Sequence, residues 1–141
     1  MSVKNISAID AFKELEKKDS ILVDVRTQEE VNFVGFPNLA KINKSPIFIS
    51  WRMLPNMSVY ENFESNLVNE INKITDSKES DINLFFLCRS GARSMESALF
   101  MSDLGYNCFN IEKGFEGDLD ADGKRSNING WKFDKNPWKQ K

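Results

Sequence analysis

"INLFFLCRSGARSMESALFMSDLG", residues 82–105, changes its period once, at "CRSGA". Residues 82–87 form an apolar run broken only by Asn83, the pattern of a strand covered on both faces. Residues 93–104 have helical period and end before Gly105, a residue suited to a helix C-terminus. A strand buried on both faces needs helices above and below it, so the segment predicts one βα unit of a largely parallel sheet. Cys88 falls at the carboxyl end of that strand, just before the helix.

The rest of the chain repeats the alternation. "VKNI" (3–6) is a short first strand, and Ser7 caps a helix whose apolar face is Ile9, Phe12 and Leu15. "ILVDV" (21–25) is a buried second strand, after which Thr27 caps a short helix. Glu29 and Glu30 suit the positive end of that helix, and Arg26 is placed to pair with Glu30. Residues 35–46 carry Gly, Pro and Asn punctuation and read as a loop leading to a weaker third strand at 47–51. Phe63, Leu67, Ile71 and Ile74 recur at helical spacing within 61–74, and "CFNI" (108–111) is a fifth strand. The expected fold is α/β: a single domain over residues 1–141, with a mostly parallel sheet of about five strands flanked by helices and an irregular tail from about residue 113.

Composition narrows the chemistry. The net charge of −2 offers no field for nucleic acid or an anionic membrane, and no window has the length of a membrane span. The N-terminus lacks the apolar stretch of a signal peptide, and two cysteines are too few for a secreted disulfide framework. A reducing cytoplasm is the expected location. The chain has no histidine, which removes Cys-His pairs, Ser-His-Asp triads and ordinary zinc sites. Any reactive cysteine must be activated by other means.

The loop after residue 87 supplies those means. Ligands of parallel α/β sheets bind beyond the carboxyl ends of the strands, where a loop entering a helix turns backbone N–H groups inward. Gly91 permits a conformation and close approach that a side chain would hinder, and the following helix adds partial positive charge. Arg89 and Arg93 bring guanidinium forks, two of only 5 arginines beside 14 lysines. Such a cradle favours a thiolate at Cys88 and binds an anion, with Ser90 and Ser94 as hydroxyl donors. Arg93 has a second reading, in which it pairs with a carboxylate and holds the loop; Ser94 can instead satisfy amides at the helix start. Cys108, inside an apolar strand without glycine or arginine nearby, reads as packing; Trp51, Trp131 and Trp138 either cover the core or shape an acceptor surface, with packing the default reading.

"ILVDVRTQEE" (21–30), "LCRSGARS" (87–94), "GYNCFNIEKGFEGD" (105–118) and "GWKFDKNPW" (130–138) together resemble a single-domain rhodanese, a sulfurtransferase that carries sulfane sulfur as a cysteine persulfide. The resemblance runs from about Ser7 to Trp138 and is most specific in the loop. It implies that Cys88 is the sulfur-carrying nucleophile, that the amides of Arg89, Ser90, Gly91, Ala92 and Arg93 cradle the persulfide, and that Arg89 or Arg93 meets an anionic donor such as thiosulfate. It places Asp24 in a structural strand beneath the site, and implies no cofactor and no metal. Two departures stand out: Phe36 occupies a position where many members have histidine, and Lys124 lies where a more variable or imidazole-bearing residue is expected.

The same resemblance separates sulfur from phosphate chemistry. Phosphatases and arsenate reductases of related fold have a longer Cys-to-Arg loop, whereas here only four residues intervene between Cys88 and Arg93. The smaller ring suits one sulfur atom. The expected partners are a small donor, thiosulfate or a persulfide, and an acceptor that can be a protein. A noncatalytic binding module is the alternative of a different class; such modules commonly lose the cysteine or break the loop, and this chain keeps both intact.

Overall fold

The computed structural model describes residues 2–141. Five parallel strands form the central sheet in the order β1 (Lys4–Ile6), β8 (Asn107–Ile111), β7 (Asn83–Leu87), β2 (Ser20–Asp24), β4 (Ile47–Phe48). The other short strands are β3 (Phe36–Pro37), β5 (Arg52–Met53), β6 (Ser58–Val59) and β9 (Trp138–Lys139). Four helices complete the fold: α1 (Ala8–Glu14), α2 (Gln28–Val34), α3 (Phe63–Ile74) and α4 (Ala92–Ser102). The α/β class, the parallel sheet and its five strands agree with the sequence reading.

β2 and β7 are sandwiched between two apolar clusters, which explains their apolar sequence. On one face Leu84 and Phe86 of β7 pack with Phe63, Leu67 and Ile71 of α3 and with Ala98 and Met101 of α4. On the other, Phe85 and Leu87 meet Ala8, Ala11 and Leu15 on the α1 side together with Phe115 and Trp131 from the C-terminal segment. Cys88 continues the alternation onto the α3/α4 face.

Three local expectations need correction. α1 buries Ala8 and Ala11 with the C-capping Leu15, whereas Ile9 is 45 % exposed. Small alanines let this helix lie close to the sheet, a contact that residue size alone does not reveal. Arg26 does not pair with Glu30. Its Nε and Nη2 donate to Asp24 Oδ1 and Oδ2 at 2.9 and 2.7 Å, and Nη2 also donates to Gly35 O at 2.8 Å. The guanidinium lies 4.3 Å from the centroid of the Phe115 ring, fully buried. Helix α4 stops at Ser102 with Asp103 as its C-cap, and Gly105 follows with φ of 103°.

The loop at 35–46 and the tail are more ordered than their punctuation suggests. β3 pairs antiparallel with β9, so the last described residues return to the segment after α2. Trp131 is fully buried against Phe12, and its indole N–H donates to Pro137 O at 2.8 Å. A small β5/β6 hairpin, absent from the sequence reading, joins β4 to α3. No helix among the described residues is long and apolar enough to cross a membrane.

Candidate functional site

Position follows from the sheet. β7 is central, between β8 and β2, and its carboxyl end places Cys88 at the start of the loop that leads into α4. The loop is held from outside by the start of the tail: Phe115 N donates to Cys88 O at 2.8 Å, and Glu116 N donates to Arg89 O at 2.9 Å. This close approach requires Gly114, because a Cβ there would overlap the Cys88 carbonyl oxygen and the Arg89 backbone, and its φ is +59°. Gly91 caps α4 with φ of 112°, turning its amide back onto the cysteine.

Two groups meet the Cys88 sulfur. Gly91 N donates to Sγ at 3.1 Å, and Ser94 Oγ lies 3.2 Å from it. Of the amides expected to line the cradle, Gly91's is the one hydrogen-bonded to Sγ among the described residues. Ser94 is fully buried and also donates to Asn110 Oδ1 at 2.5 Å. Its side chain thus faces the sulfur and β8. Ser90 and Gly91 are half-buried, and Arg89 and Ala92 are exposed at the rim, whereas Cys88 is 1 % exposed. The sulfur is buried beneath the loop.

Arg93 faces a carboxylate. Its Nη1 and Nη2 donate to Glu30 Oε1 and Oε2 at 2.7 and 2.9 Å, a bidentate pair that ties α4 to α2. Burial pushes the Glu30 carboxyl up, but the hydrogen bonds and charge of Arg93, with those from Thr27, outweigh it and bring it down to about 2. Arg93 is held still more firmly protonated: burial opposes its charge, and Glu30, with smaller contributions from Cys88 and Asp24, prevails. Glu30 Oε1 also accepts from Thr27 N and Oγ1, completing the capping box of α2. The guanidinium fork is committed to a carboxylate.

Cys108 is buried in β8, and burial pushes its thiol up to about 12, the behaviour of an inert packing cysteine. Phe36 in β3 packs edge-on against Phe48 in β4, and Lys124 is exposed in a turn whose backbone bonds to Asp120. The sequence reading missed Glu30 as the partner of Arg93, Gly114 beneath the loop, and Asn110 behind Ser94. Asn110 did leave a signal, a polar residue in the middle of the apolar strand "CFNI".

This arrangement accompanies a clear likeness to known proteins. The rhodanese-like domain family model matches residues 7–121. The chain belongs to the rhodanese-like family. This rhodanese-like protein is 42 % identical over 135 residues to an uncharacterised protein of Rickettsia conorii, covering 94 % of this chain and all of that one. The crystal structure of Rv0390 from M. tuberculosis superposes with a TM-score of 0.86 at 30 % identity, covering the whole of both chains. A polysulfide-sulfur transferase homodimer from Wolinella succinogenes shares the fold with a TM-score of 0.63 at 18 % identity, over 99 % of this chain and 80 % of that one.

Proposed function

We propose that this rhodanese-like protein is a sulfurtransferase that carries sulfane sulfur on Cys88. The observation that carries the reading is the disposition of the loop: one amide and one hydroxyl converge on Sγ, while the Arg93 fork faces Glu30. A phosphoryl group would need that fork for its equatorial oxygens. A single added sulfur needs only hydrogen-bond donors around it. The Wolinella neighbour's own activity, polysulfide-sulfur transfer, is of the same class.

The steps balance without a general base. The Cys88 thiolate attacks the outer sulfur of thiosulfate; the S–S bond breaks and sulfite leaves with its electron pair. The acceptor, cyanide or a thiolate, then attacks the outer sulfur of the Cys88 persulfide and regenerates the thiolate. The 1 % exposure of Cys88 favours donors that present a terminal sulfur end-on. Arg89, exposed on the loop next to Cys88, supplies the charge for an anionic donor, and the acceptor is a small thiophile or a protein thiol in the cytoplasm.

Cys88→Ser is expected to abolish thiosulfate-to-cyanide transfer, while Cys108→Ser keeps most of it. Mass spectrometry after thiosulfate treatment should find one extra sulfur on the peptide containing Cys88. Full transfer by the Cys88→Ser protein would end the proposal.

A further inference from the structure

Behind Ser94 lies a buried polar chain that sulfur binding alone does not require. Asn110 is 4 % exposed and stands on the face of β8 that Cys108 shares, where an apolar residue would pack. Its Nδ2 donates to Asn5 Oδ1 on the neighbouring strand β1 at 3.0 Å and to Gly91 O at 3.3 Å. A backbone carbonyl only accepts, so the Gly91 contact fixes the amide: nitrogen towards the loop, Oδ1 towards Ser94. Ser94 Oγ then donates its one proton to Asn110 Oδ1.

That leaves the sulfur short of a donor. A Cys88 thiol completes the chain, with S–H donating to Ser94 Oγ and Ser94 O–H donating to Asn110. A thiolate or persulfide has no such proton and accepts from Gly91 N; it gains a second donor only if the Ser94 hydroxyl turns away from Asn110. Two acceptors compete for one proton.

We propose that Asn110 is a positioning residue that claims the Ser94 hydroxyl proton in competition with the Cys88 sulfur, so that the hydroxyl turns to the sulfur only when Cys88 is deprotonated or loaded. The inference rests on Cys88 being the sulfur carrier. The charged groups around Cys88 are Arg93 and Glu30, paired between α4 and α2; Asp24 and Arg26, paired after β2; Arg89 on the loop; and Glu112 and Lys113, whose backbone lies against Gly91. None changes when Asn110 is replaced, so their fields cancel in a comparison of variants.

The test is a double-mutant cycle read by ultraviolet thiolate absorbance against pH, which needs neither a sulfur donor nor reagent access. Cys108, titrating at about 12, is silent near neutrality. Asn110→Leu should move the Cys88 midpoint down by about one pH unit, roughly tenfold in thiolate at neutral pH. In the Ser94→Ala background the same replacement should leave the midpoint where Ser94→Ala alone puts it. An equal shift in both backgrounds would show that Asn110 acts through the Gly91 anchor instead, and no shift in either would also overturn the proposal. Asn110→Ala, which adds no bulk, is measured alongside with the same expectation in case leucine is not accommodated. Sulfur transfer to cyanide is assayed on the same proteins; an inactive wild type would overturn the carrier reading separately, because the titration does not depend on it.

Discussion

Replacing Glu30 with glutamine removes the charge that faces Arg93 while keeping an acceptor oxygen for Thr27. The Glu30 carboxyl is at about 2 in the folded protein against an ordinary 4.5. Its folded value lies below its unfolded one, so the carboxylate stabilises the fold fully above about pH 4.5, and that contribution fades as pH falls towards about 2. At ~1.4 kcal/mol per unit the displacement sets a ceiling of about 3 kcal/mol. The carboxylate is 21 % exposed, and solvent screening reduces the expected value to ~2 kcal/mol. Urea unfolding of both proteins at neutral pH should therefore place Glu30→Gln ~2 kcal/mol below wild type, and at about pH 3 the gap should shrink to roughly half. A gap of the same size at both pH values would mean that Glu30 acts through packing, and the absence of a gap would remove the α2–α4 tie as a source of stability.

Two further outcomes follow from the loop. Arg89→Ala should weaken use of thiosulfate about tenfold while sparing an uncharged persulfide donor, whereas Glu30→Gln should affect both donors alike; steady-state kinetics with the two donors separates the cases. Gly114→Ala should cost upwards of ~3 kcal/mol in urea unfolding, because its Cβ would collide with backbone rather than with a movable side chain, and a nearly neutral result would mean that the tail does not clamp Cys88 O and Arg89 O as described.

What the sequence made legible was local. The strand, loop and helix around Cys88 are contiguous, so period and glycine placement reveal them together. The partners that give the loop its character come from elsewhere: Glu30 lies 63 residues from Arg93, and Asn110 lies 16 from Ser94. A carboxylate in the first turn of a helix already has a sufficient explanation in the helix dipole and the capping box, which is why Glu30 offered no sign of a distant arginine. Arg26 misled for a related reason. Helical spacing made Glu30 its natural partner, yet the chain at that point is still leaving β2, and the fork folds back to Asp24 two residues away. The face of α1 was misread because hydrophobic size marks what resists water, whereas close helix–sheet approach selects what is small. β3 and β9 span two residues each, too short for alternation to register.

The match to the family model ends at residue 121, but the folding unit does not. Trp131 fills the core beneath α1, Asn136 Nδ2 donates to Ala8 O at 2.8 Å, and Trp131 N donates to Gly114 O at 2.9 Å, beside the residue that clamps the loop. Excising the chain at residue 121 would thus open a tryptophan-sized hole in one core and slacken the loop that carries Cys88 from behind. In this protein the piece to move into a fusion as one packed unit is the one that extends through β9.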